Sequence, residues 1–119
     1  MAKYVLLIYG DESSGGDMTP EEGAAMFQAY DDYTKWLVDK GWMQGGEALQ
    51  PTPTATTVRV RDGQTVTTDG PFAETKEQLG GFYLVECDDL DQAIDAASRI
   101  PGAKHGTIEV RPVMVFDTA

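Results

Sequence analysis

The side chains best equipped for chemistry lie in one stretch, Thr68-Asp69-Gly70-Pro71-Phe72-Ala73-Glu74-Thr75-Lys76-Glu77-Gln78-Leu79-Gly80-Gly81-Phe82. Asp69 precedes a Gly-Pro turn. Its carboxylate therefore either caps backbone N–H groups of that turn or stands fixed as a base or ligand anchor, kept ionised by Lys76 or Arg111. Lys76 sits between Glu74 and Glu77 in a loop pinned by Gly70-Pro71 at one end and Gly80-Gly81 at the other. A lysine held that way can orient an anionic or hydroxylated ligand, whereas a merely exposed cluster of this kind contributes well under about 1 kcal/mol per ion pair. Glu47, after Gly45-Gly46, lies near a strand end and is expected to pair with Arg111 or to line the same pocket. Phe72 is read first as a core plug and second as a stacking platform. Asp69 and Lys76 are the candidate catalytic pair; Glu47, Phe72, Glu74, Glu77 and Arg111 are the candidate ligand contacts.

Other chemistries lack their residues. Cys87 is the only cysteine, which removes an intrachain disulfide, a cysteine-based zinc cluster and a Cys-x-x-Cys pair; a buried, inert thiol is expected. His105, the only histidine, lies in Ala103-Lys104-His105-Gly106, a turn-like setting with no orienting partner nearby in sequence, and is expected to be exposed. Without a His/Cys cluster, a Gly-x-Gly-x-x-Gly turn, a P-loop or a Gly-x-Ser-x-Gly elbow, neither a metal nor a cofactor is expected, and a hydrolase triad has no support. A net charge of −11 repels a phosphate backbone, so nucleic acid is not an expected partner. The apolar runs at residues 4–9 and 113–116 are too short to cross a bilayer, and Met1-Ala2-Lys3 opens no signal peptide, so no membrane association and a cytoplasmic location are expected.

The elements that must hold these residues follow from pattern. A length of 119 residues suits one domain, residues 1–119, with one core. Residues 3–9 are apolar on both alternating sets, the mark of a strand covered on both faces. Residues 10–18 break that pattern, and Thr19-Pro20-Glu21-Glu22 begins a helix as a capping box with proline at its first position. Met26, Tyr30, Tyr33 and Leu37 form its apolar stripe, and Gly41 ends it. A short strand near 42–49 and a proline-bearing loop come next. Residues 56–61 and 64–68 form a hairpin on an Asp62-Gly63 type I′ turn, with one face toward solvent. Residues 80–86 resume a mostly buried strand. Asp89 caps a second helix with Leu90, Ala93, Ile94 and Ala97 inward, and residues 107–116 are the last strand. Two helices cover one face of such a sheet. The apolar set on the other face calls for a second copy packed sheet against sheet.

Residues 4–10, Gly45-Gly46-Glu47, the segment from Asp69 to Phe82 and Glu109-Val110-Arg111-Pro112 together resemble a DGPF-domain protein of the YCII-related family, over nearly the whole chain. The resemblance implies an α+β, ferredoxin-like βαββαβ fold, here with an added hairpin, that forms a dimeric α/β barrel as a homodimer. It also implies a link to sigma-factor-associated stress responses. Some members are proposed to use a His-Asp pair with the histidine on the first helix; here that helix has no histidine, and counting back from Gly41 puts Tyr30 near the slot. The functional expectation is a small-molecule-binding or regulatory module. The alternative is a small-molecule enzyme with Asp69 as base or anchor and Lys76 and Arg111 stabilising an anionic intermediate.

Overall fold

Apolar residues on both alternating sets put the first strand in the middle of a sheet. The computed structural model describes residues 1–15 and 18–116, and in it β1 (Ala2–Gly10) is flanked by β5 (Gln78–Cys87) and β6 (Thr107–Pro112), with β2 (Met43–Ala48) beyond β5. All pairings in this β2-β5-β1-β6 sheet are antiparallel. Register places Leu6 opposite Tyr83 and Val110, and Tyr4 opposite Val85, on one face; Leu7 opposite Phe82 and Val5 opposite Leu84 share the other. Among the described residues the hairpin strands β3 (Thr56–Arg61) and β4 (Gln64–Asp69) pair only with each other. Set aside that hairpin, and the strand order with its two main helices is compatible with a ferredoxin-like α+β fold.

Local signals fix the helices. Helix α2 (Pro20–Lys40) begins where the Thr19 side chain accepts the Glu22 N–H, and ends at Gly41 in the left-handed region at φ 77°. Helix α3 (Leu90–Ser98) begins where Asp89 accepts the Gln92 N–H at 3.0 Å. Both cover the same sheet face, because Tyr33 and Leu37 of α2 join Ala93, Ala96 and Ala97 of α3 over Tyr4, Leu6, Val85 and Cys87. The buried Tyr33 hydroxyl donates to the Ala96 carbonyl at 2.7 Å, tying the two helices together.

Several expectations are corrected. Within residues 10–18 a short helix, α1 (Glu12–Gly15), forms; Gly16 and Asp17 of that stretch lie outside the described residues. The buried face of α3 is Ala93, Ala96 and Ala97, continued by Ile100, while Leu90 and Ile94 are half exposed, because the helix seats its small residues against the sheet. The last strand stops at Pro112; one further backbone bond, Val113 N–H to the Lys3 carbonyl at 2.9 Å, is followed by an exposed segment, 114–116, with no strand partner among the described residues. Both faces of the hairpin meet solvent, since Val58, Val60 and Val66 are all exposed. Its turn is as read, with Asp62 at φ 51° and Gly63 at φ 75°. Phe72 plugs nothing: it is 79% exposed beyond the Gly70-Pro71 turn. Among the described residues no helix is long and apolar enough to cross a membrane.

Candidate functional site: a cleft over a glycine floor

Two glycines line the sheet where α2 crosses its far end. The half of α2 that carries Tyr33 and Leu37 meets large apolar partners, but the half that carries Met26 and Tyr30 faces Gly46 and Gly81. Neither position tolerates a side chain: a Cβ on Gly46 would lie 2.6 Å from the Phe82 carbonyl oxygen, and one on Gly81 would lie 2.8 Å from that of Glu47. The close approach of β2 and β5 thus demands glycine, and glycine leaves volume between helix and sheet. The result is a cleft of about 1350 Å³.

Its inner wall carries three hydroxyls. Thr34 Oγ1 donates to the Tyr30 carbonyl at 2.9 Å and lies 3.1 Å from the Tyr83 hydroxyl. Tyr83 also meets Tyr33 edge to face, with ring centroids 5.1 Å apart. The Tyr30 hydroxyl oxygen lies beside the Gly102 backbone, where a Cβ on Gly102 would come within 2.8 Å of it. Burial raises the Tyr30 pKa above the ordinary phenol value, against the lowering effect of the Gly102 N–H, with Tyr83 adding to the rise. Ile8, Met26 and Met43 supply apolar surface beside these groups.

Charge is confined to the mouth. Asp11, Glu12, Glu22 and Glu77 stand there, against Lys76 and Lys104, with His105 beside them. Most of the carboxylates are occupied. Glu12 accepts Thr52 N–H at 2.9 Å and Thr52 Oγ1 at 2.7 Å, while its own N–H donates to Gln78 Oε1 at 3.0 Å. Gln78 Nε2 reaches the Thr75 carbonyl at 2.5 Å, so three loops are clasped at one edge of the cleft. Glu77 accepts from Thr107 Oγ1 at 2.8 Å. Asp11 is held below the ordinary carboxylate range by hydrogen bonds from the Ser13 side chain and backbone, and to a lesser degree by the charge of Lys76.

Of the residues singled out in the sequence, Glu47, Lys76 and Glu77 border this cleft, Glu47 from a position whose register with Phe82 puts its side chain on the opposite sheet face. Asp69, Phe72, Glu74 and Arg111 do not. Asp69 ends β4 opposite Thr56, exposed, and the turn after it is held instead by Gly70 N–H to the Ala55 carbonyl at 2.6 Å and by Thr57 Oγ1 to the Gly70 carbonyl at 2.8 Å. Arg111 pairs with Glu109 at 3.2 Å, not with Glu47. Nothing local in the sequence marks the hydroxyl wall of Thr34 and Tyr83; Tyr30 carries the one signal, its distance from the helix end. His105 is exposed and reaches the mouth through the turn before β6. Cys87 is buried, its thiol donates to the Asp89 carbonyl at 3.5 Å, and burial pushes its pKa up. Among the described residues no three His, Cys, Asp or Glu side chains converge to hold a metal ion.

The described residues form an antiparallel sheet with two main helices on one face and a lateral cleft beneath α2, an α+β arrangement. The family model for the YCII-related domain matches residues 2–117, and the chain belongs to that family. It is also 39% identical over 115 residues to an uncharacterised protein of Rhizobium meliloti (strain 1021), a match covering 95% of this chain and 93% of that protein.

Proposed function

We propose that the protein is a small-molecule-binding module whose ligand occupies the cleft between α2 and the glycine floor. The observation that carries this reading is the cleft itself: apolar walls, a few fixed hydroxyls and a charged mouth, held open by backbone packing that no side chain can fill. The enzyme reading has less support, since Asp69 is exposed on the hairpin and Lys76 lies at the mouth, so the pair does not share one enclosed space.

The same reading includes a homodimer that closes a barrel over the uncovered sheet face. Val5, Leu7, Phe82 and Leu84 form an apolar band there, only partly buried within one chain. A radius of gyration of 16.6 Å, against roughly 13.5 Å for a compact chain of this length, fits a subunit shaped for a partner. A thermal-shift screen of metabolites tests the function, comparing wild type with Asp69→Asn and with Met26→Trp, which fills the cleft. A true ligand raises the wild-type melting point by mass action, keeps its effect in Asp69→Asn and loses it in Met26→Trp. Loss in Asp69→Asn alone would favour the enzyme reading.

A further inference from the structure

The hydrogen-bonding direction of the cleft wall is set by its protons, and it selects a class of ligand. Thr34 has one hydroxyl proton. A carbonyl oxygen can only accept, so that proton goes to the Tyr30 carbonyl, 2.9 Å away. In the 3.1 Å contact between Thr34 and Tyr83 the tyrosine must then be the donor. Tyr83 therefore turns only lone pairs toward the cleft. Tyr30 is the reverse case: its oxygen lies against the Gly102 backbone, and among the described residues its O–H meets no acceptor, so that proton remains to be given. Two neighbouring phenols thus offer one acceptor and one donor.

We propose that the cleft takes an uncharged small molecule with an apolar body whose inner end bears a hydroxyl or amide group, accepting from Tyr30 and donating to Tyr83. The inference rests on the cleft being the ligand site. A carboxylate has no hydrogen for Tyr83 and must pass a mouth with more carboxylates than lysines. An ammonium has no lone pair for the Tyr30 proton and loses hydration among apolar walls. Ile8, Met26 and Met43 suit the apolar body, with methionine side chains able to adjust to its shape.

Three probes on one carbon skeleton test this: 3-phenylpropionamide, 3-phenylpropionate and 3-phenylpropylammonium, titrated into the full chain carrying 13C-methyl methionine. The amide should shift the cleft methionines Met18, Met26 and Met43 and bind about tenfold more tightly than either ion, the scale of one satisfied hydrogen bond. Thr34→Val frees the Tyr83 proton and makes that oxygen a donor, so the preference for amide over carboxylate should collapse. Tyr83→Phe, which keeps the ring, should also abolish the preference. Equal affinities of the three probes in the cleft, or a preference unchanged in both variants, would overturn the assignment and leave the cleft as a site. Failure of all three probes to move Met18, Met26 or Met43 would overturn both.

Discussion

Thr34 on α2 and Tyr83 on β5, 49 residues apart in sequence, lie 3.1 Å apart through their hydroxyls. The contact joins helix to sheet beside the cleft, where the floor presents Gly46 and Gly81. Tyr83→Phe should therefore lower stability by about 1 kcal/mol, a typical net value for one hydrogen bond, in urea unfolding, while Thr34→Ser, which keeps the hydroxyl, should stay near wild type.

The glycine floor makes a sharper prediction. Gly46→Ala and Gly81→Ala each drive a methyl group into the neighbouring strand's backbone and should cost about 1–3 kcal/mol. Gly45→Ala meets nothing within 4 Å and should change stability by no more than about 0.5 kcal/mol. Equal costs at the three positions would show that the β2–β5 approach is looser than described.

Much of this architecture was legible because its signals are local. Thr19 and Asp89 bond N–H groups three residues on, Gly41 takes a conformation other residues resist, and Asp62-Gly63 dictates its own turn. Belonging to β1 is likewise written in one strand's double-sided apolarity. What failed depended on partners far along the chain. Leu90 and Ile94 follow the spacing of an inward face, yet the sheet accepts Ala93, Ala96 and Ala97, whose smaller side chains allow α3 to sit close. Residues 113–116 are apolar enough for a strand, but after the one bond from Val113 to Lys3 they find no strand partner among the described residues. The cleft shows the same division: Glu47, Lys76 and Glu77 stood out by charge, whereas Thr34 and Tyr83 acquire meaning only when α2 crosses β5.

Tyr33 should govern the alkaline limit. Burial raises its pKa well above the free phenol value, with Tyr83 adding to the rise. The folded state then holds a proton that the unfolded chain releases near pH 10, so stability falls as pH rises above about 10. Below that value the group is protonated in both states and contributes no slope. Tyr33→Phe should lose about 1 kcal/mol at neutral pH with the bond to Ala96, and should flatten the decline above pH 10 in unfolding midpoints.

The uncovered sheet face predicts association. Wild type should sediment as a dimer at micromolar concentration, and Leu7→Lys, which places a charge in the apolar band opposite Phe82, should sediment as a monomer that remains folded. A wild-type monomer would remove the barrel from this account.

The chain's five methionines divide cleanly: Met18, Met26 and Met43 line the cleft, and Met1 and Met114 do not. A 13C-methyl methionine spectrum recorded with any compound that stabilises the protein therefore reads out the site directly. Met18, Met26 and Met43 should shift with Met1 and Met114 unmoved; a stabilising compound that shifts Met1 or Met114 and leaves the other three in place would contradict a ligand site in the cleft.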